Sequence, residues 1–384
     1  MSQSGSTIVA PGLEGVVVAE TALSEVDGLN GRLTYRGFSI DDLARHATYE
    51  EVLYLLWHGD LPTRAELAAL HRELVANRAL PEEVRRAIEA LPRSGEPIDA
   101  LRAGVTALGM TDPEIRDLSP EGILRRGLRL VAMMPTMLAA YDRLRRGEQP
   151  VEPDPELSQA GNFLYMLHGR RPAATQEAAF NCYLVLLAEH SLNASTFALR
   201  VAVSTLADLY AGVSAALAAL KGDAHGGANQ RAMEMLLSIG SPDNVVDYVE
   251  ESLRIKRRLM GIGHRVYRTR DPRAAHLMGW SKAVAEESGQ TTWHAIAERL
   301  EEVTANHPYY VERKLYPNVE FYSAPLLYGL GLAPDLMPGA FAISRVTGWT
   351  AHALEQLASN RLIRPQASYI GERERHFVPL DQRG

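Results

Sequence analysis

Cysteine is nearly absent from this 384-residue chain: Cys182 is the only one. No intrachain disulfide can form, and no CxxC metal knuckle exists, so a reducing cytoplasm is the expected location. Cys182 lies against the apolar run YLVLLA and reads as a buried, inert thiol. Lysine is scarce too. Only Lys221, Lys256, Lys282 and Lys314 occur among 40 basic residues, which leaves 36 arginines. The net charge of −7 argues against a general nucleic-acid binder. No apolar run approaches the length that spans a bilayer. The N-terminal stretch MSQSGSTIVAPGLEGVVVAE lacks a basic region followed by a long apolar core, so no signal peptide is expected.

What is present is ordinary core material. Hydrophobic residues make up 46% and charged residues 23%, the balance of a soluble globular chain with two or three domains or one large core. Helical signals dominate. Ser39-Ile-Asp-Asp42, Thr48-Tyr-Glu-Glu51 and Thr63-Arg-Ala-Glu66 are three capping boxes, in which a hydroxyl takes an orphan amide while the acid reaches back. Ser119-Pro120 opens a helix running toward Gly147, and Pro135 is expected to kink it. Segments near 176–190, 194–221, 228–238, 242–258, 274–287, 291–305 and 337–360 also read as helices, with a short hairpin arm at 31–36. The expected class is all-α. Glycines cluster at Gly222–Gly227, Gly261–Gly263 and Gly329–Gly331. They cut out a central segment, 226–330, that can move against the rest. Ala207, Ala211, Ala215 and Ala219 form a stripe of small residues that suits close helix approach, in the core or between subunits.

Four stretches set polar groups among glycine or apolar neighbours. They are AEHSLNASTF with His190, LKGDAHGGANQ with His225, MGIGHRVYRTRDPRA with His264, and PNVEFYSA with Glu320. A lone histidine is usually a cap or core residue, and an arginine run is usually a solvated face. Three histidines at glycine-bounded turns are harder to dismiss, because glycine lets backbone come close to a ligand.

Together with AISRVTGW and NRLIRP, these motifs resemble the citrate synthase family, of the shorter bacterial and archaeal kind, over nearly the whole chain. The resemblance implies a two-domain helical fold, with a large domain of residues 1–225 and 331–384 and a smaller mobile domain of residues 226–330. It implies condensation of acetyl-CoA with oxaloacetate, then hydrolysis of the citryl thioester. No cofactor or metal is implied, and acetyl-CoA is a substrate. Glu320 takes the family's base position, His225 the histidine that bonds the thioester oxygen, and His264 the donor to the ketone. His190, Arg273 and Arg345 match oxaloacetate binders. Arg364 matches an arginine supplied across a homodimer. For CoA the matches are Arg268 and the Leu259–Gly263 loop, with Gly261 and Gly263 letting the ligand lie close. Lys256 belongs to a basic run before that loop that offers positive charge to the phosphates. The family usually has aspartate where this chain has Glu320, and one methylene displaces the carboxylate by roughly 1 Å, enough to matter where attack geometry is strict. The alternatives are a 2-methylcitrate synthase using propionyl-CoA, or a non-catalytic helical homologue. No nucleic-acid or membrane partner is expected.

Overall fold

The computed structural model describes residues 10–264 and 266–383. The chain begins with a small antiparallel sheet of β1 (Ser24–Asp27), β2 (Arg32–Tyr35) and β3 (Phe38–Ser39), in that order, with Val26 opposite Leu33. It continues as helices. These are α1 (Ile40–His46), α2 (Tyr49–His58), α3 (Arg64–Ala76), α4 (Glu82–Glu89), α5 (Pro97–Met110), α6 (Pro120–Arg145), α7 (Gln159–His168) and α8 (Ala174–Leu187). Then come α9 (Ala194–Ser204), α10 (Leu209–Leu220), α11 (Gly227–Ile239), α12 (Val245–Arg254) and α13 (Pro272–Ser288). The last are α14 (Thr292–Asn306), α15 (Pro308–Glu312), α16 (Val319–Gly329) and α17 (Met337–Ala358). The all-α expectation holds.

The centre is the crossing of α6 and α17. Both are buried over most of their circumference, as helices apolar on all sides must be. They touch almost at backbone distance: a Cβ on Gly127 would meet Thr350 Cγ2 at 2.4 Å, and one on Gly339 would meet Leu138 Cδ1 at 2.6 Å. The helix α6 runs on past Pro135, which cannot donate to the carbonyl of Val131. That carbonyl accepts instead from Gln159 Nε2 at 3.0 Å. Gln159 Oε1 in turn accepts from the buried Arg78, whose other nitrogens hold Asp154 O and Leu157 O. The proline-rich 151–158 stretch is therefore a pinned loop.

Two expectations need correction. Thr48 and Thr63 form reciprocal capping boxes, but Ser39 only accepts from the Asp41 amide. Asp42 is one methylene shorter than the Glu or Gln that reaches back in a complete box. The single helix read over 194–221 is two, broken where Leu206 takes φ +67° and Asp208 caps a new start. The alanine stripe is also resolved. Gly212 packs on Val203 and Leu199 of α9, whereas Ala211 is exposed and Ala207, Ala215 and Ala219 are half-buried.

Candidate active site

The site starts with a pairing of two loops. Gly263 N–H donates to Tyr316 O (2.7 Å), Asn318 N–H to Gly261 O (2.9 Å), and Asn318 Nδ2 to Gly263 O (2.8 Å). The chain before His264 is thereby fastened to the chain before Glu320. Gly261 makes this possible: its φ is +77°, and an added Cβ would lie 2.8 Å from Phe321 Cα. Asn318 then caps α16 by accepting from the Glu320 amide at 3.1 Å, which puts Glu320 in the first helical turn. No side chain among the described residues pairs with its carboxylate, which receives only its own backbone amide. Burial raises its pKa, opposed chiefly by Arg273.

Three neutral imidazoles gather here, and the backbone sets two of their tautomers. His264 Nδ1 accepts from the amides of Val266 (3.0 Å) and Tyr267 (3.1 Å), so its hydrogen is on Nε2. His225 Nε2 lies 3.3 Å from the Ser195 amide, a group that can only donate, and 2.8 Å from Ser195 Oγ. His225 therefore carries its hydrogen on Nδ1. Burial, followed by Arg273, depresses His264 to about 4, and burial with Arg345 does the same for His225. His190 lies well below the usual histidine range, from burial and then Arg273 and Arg345. Its Nε2 is 3.1 Å from Tyr267 Oη, and its ring stands edge-on to His264 with centroids 5.8 Å apart.

Both arginines that face this cluster are buried. Asp271, the cap of α13, accepts Arg273 Nε at 3.0 Å and Nη2 at 2.7 Å. Burial opposes the Arg273 charge, but Asp271 more than offsets it and its pKa lies above the ordinary value. Arg345 donates Nε to Leu187 O at 2.5 Å and stacks its guanidinium 4.7 Å from the Phe341 ring centroid. Burial pushes Arg345 down to about 10. Arg273 Nη1 and both terminal nitrogens of Arg345 have no partner among the described residues, which leaves pre-aligned cations suited to carboxylates.

Of the sequence-predicted residues, His190, His225, His264, Arg273, Arg345 and Glu320 interact as one electrostatic cluster. Leu259 and Gly261 are buried in the loop beside it, with Gly263 half-buried. Lys256 and Arg268 are exposed, without ion-pair partners among the described residues. Arg364 does not join the cluster. It is exposed on the segment after α17. Sequence reasoning missed Ser195, Tyr267 and Asp271. The last carried a signal, since an acid before proline opens helices. No helix among the described residues is long and apolar enough to cross a membrane.

Comparison with known proteins points one way. The family model for the citrate synthase C-terminal domain matches residues 12–366. The citrate synthase of Haloferax volcanii is 46% identical, over 97% of this chain and 98% of that protein. The crystal structure of the Pyrobaculum aerophilum citrate synthase superposes with a TM-score of 0.92 at 41% identity, covering 98% of this chain and 95% of that one. A ternary complex of the Thermoplasma acidophilum citrate synthase with carboxymethyl coenzyme A and oxaloacetate gives a TM-score of 0.92 at 34% identity, covering 98% and 100%. Proteins named 2-methylcitrate synthase match as well, at 36% and 37% identity.

Proposed function

Since the chain belongs to the citrate synthase family of carbon–carbon bond-forming acyltransferases, we propose that its site condenses acetyl-CoA with oxaloacetate as follows. Arg273, Arg345 and His190 bind the two oxaloacetate carboxylates. Glu320 takes a proton from the acetyl methyl group, and the enolate oxygen accepts from His225 Nδ1–H. The resulting carbon nucleophile attacks the keto carbon of oxaloacetate while that oxygen accepts from His264 Nε2–H. Water then cleaves the citryl thioester, releasing citrate and CoA. Neutral imidazoles suit these donor roles, because charge develops on the substrate oxygens during reaction and not before.

The observation that carries this reading is the buried, raised carboxylate of Glu320, paired with no side chain and lying in the field of two buried arginines. A carboxylate there that served only structure would be held by an ion pair or by side-chain donors. A thiol-release assay with oxaloacetate and either acetyl-CoA or propionyl-CoA tests it. Release that is at least tenfold more efficient with acetyl-CoA is the expected result. Equal or better use of propionyl-CoA makes the enzyme a 2-methylcitrate synthase, and no release from either makes it a non-catalytic homologue.

CoA phosphates are assigned to Arg268 and Lys256, which are exposed and uncommitted. The working unit is a homodimer, in which Arg364 completes the site of the other subunit. The exposed alanines of α10 and the 84%-exposed Met110 at the end of α5 support that assembly. Residues 226–330 act as the smaller, closing domain. Its contacts with the N-terminal region include single polar bonds, Arg268 N–H to Gly28 O at 2.8 Å and His276 to Asp41 at 2.6 Å.

A further inference from the structure

Glu189 takes no part in the chemistry above, yet it is completely buried beside it. Its Oε1 accepts three hydrogen bonds: from Ser24 Oγ at 3.0 Å, from the Ser191 amide at 2.5 Å and from His352 Nε2 at 2.9 Å. Its Oε2 has no partner, and an added Cβ on Gly348 would lie 2.4 Å from it. His190 sits between Glu189 and Ser191. The Glu189 side chain therefore closes a ring around the histidine's backbone, and Ser191 is held there at φ +52°, a left-handed conformation unusual outside glycine.

The same carboxylate meets α17. Arg345, Gly348 and His352 lie on one face of that helix, three and then four residues apart. Glu189 rests on this face and is foremost among the groups that keep Arg345 charged against burial. His352 is fixed from behind: Arg200 can only donate, its Nη1 is 3.1 Å from His352 Nδ1, and so the ring hydrogen points at Glu189. Arg200 is itself buried and bonded to Gln356 at 3.0 Å and Glu355 at 2.8 Å.

We propose that Glu189 is a positioning residue for oxaloacetate: one buried carboxylate sets the turn that aims His190 and provides the counter-charge for Arg345, with His352 and Arg200 holding it in place. This rests on the oxaloacetate reading of the site. A residue that merely filled space would affect folding. Glu189 should instead affect the binding of one substrate, and its dependence on pH.

The test measures oxaloacetate affinity by calorimetry from pH 6.5 to 10.5, with steady-state kinetics, for wild type, Glu189→Gln and Glu189→Asp. The groups facing Arg345 are Glu189, Tyr35, Arg273 and Tyr183, with Glu320, His190 and His225 in the same cluster. Burial lifts both tyrosines above the ordinary phenol range, Arg273 stays charged, and the histidines stay neutral. The alkaline loss of oxaloacetate affinity therefore reports Arg345. Glu189→Gln should weaken oxaloacetate at least tenfold, leave the KM for acetyl-CoA within about twofold and move the alkaline limb to lower pH. Glu189→Asp keeps the charge and loses the reach, so it should weaken affinity with the limb in place. A folded Glu189→Gln that binds oxaloacetate like wild type, with an unmoved limb, overturns the proposal. Should that variant not fold, His352→Gln frees the carboxylate without removing it, and unchanged oxaloacetate affinity then overturns the proposal. Wild-type enzyme that fails to bind oxaloacetate overturns the reading of the site itself.

Discussion

At the scale of single residues, the proposed mechanism depends on keeping charge where substrate needs it and nowhere else. Glu320 must be ionised to act as a base, and burial raises its pKa. The acid limb of kcat/KM should therefore lie above the ordinary carboxylate range, with activity present above that pKa and lost below it. Glu320→Gln should abolish thiol release and leave oxaloacetate binding within about threefold by calorimetry. Glu320→Asp draws the carboxylate back by about one methylene, a misplacement expected to lower kcat roughly 10- to 100-fold in a pocket built for glutamate. The histidines predict a second effect. His225 and His264 fall to about 4 on folding from an ordinary 6.5, so the unfolded chain binds more protons between those values. The histidines' contribution to stability should be fully present above pH 6.5 and decline as pH falls toward 4. The raised Glu320 acts in the opposite sense, so Glu320→Gln should steepen the fall in melting temperature of the ligand-free enzyme. The three histidines, Arg273, Arg345 and Glu320 were legible because their motifs carry them. Asp271, Tyr267 and Ser195 were not, because each acts by holding another residue, and which residue it holds is settled only by the fold.

At the scale of elements, local signals worked where a side chain bonds its own neighbourhood. Thr48 and Thr63 cap as read, and Asn193 and Asn318 each begin a helix on which site residues depend. The break between α9 and α10 was invisible because Thr205–Asp208 contains neither glycine nor proline, and Leu206 takes its left-handed turn with its side chain exposed. Pro135 is the converse case. Sequence alone marks the lost hydrogen bond, but only the fold brings Gln159 from another helix to satisfy Val131 O. Gln159→Ala should strand both that carbonyl and Arg78 Nε. Two buried groups left unsatisfied cost about 2–5 kcal/mol together, measurable as a lower urea midpoint. The site lies elsewhere, so kcat for the folded fraction should stay within twofold.

At the scale of the whole molecule, the described residues leave an apolar stretch uncovered after α17. Leu362, Tyr369, Ile370, Phe377 and Leu380 are exposed along the segment after α17, and Ile370 is 97% exposed. Apolar groups this dense on one tail call for a partner surface, and Arg364 lies on the same stretch. If Arg364 serves the other subunit, two inactive variants must repair each other. In a heterodimer of Arg364→Ala and Glu320→Gln chains, the site built on the first chain takes Glu320 from itself and Arg364 from its partner, and is intact. The other site carries both defects. Random pairing makes half the dimers mixed, each with one working site of two, so activity should recover to about a quarter of wild type from near zero in either parent. A mixture as inactive as its parents, with mixed dimers confirmed by mass spectrometry, would place Arg364 in the service of its own chain and make the site intramolecular.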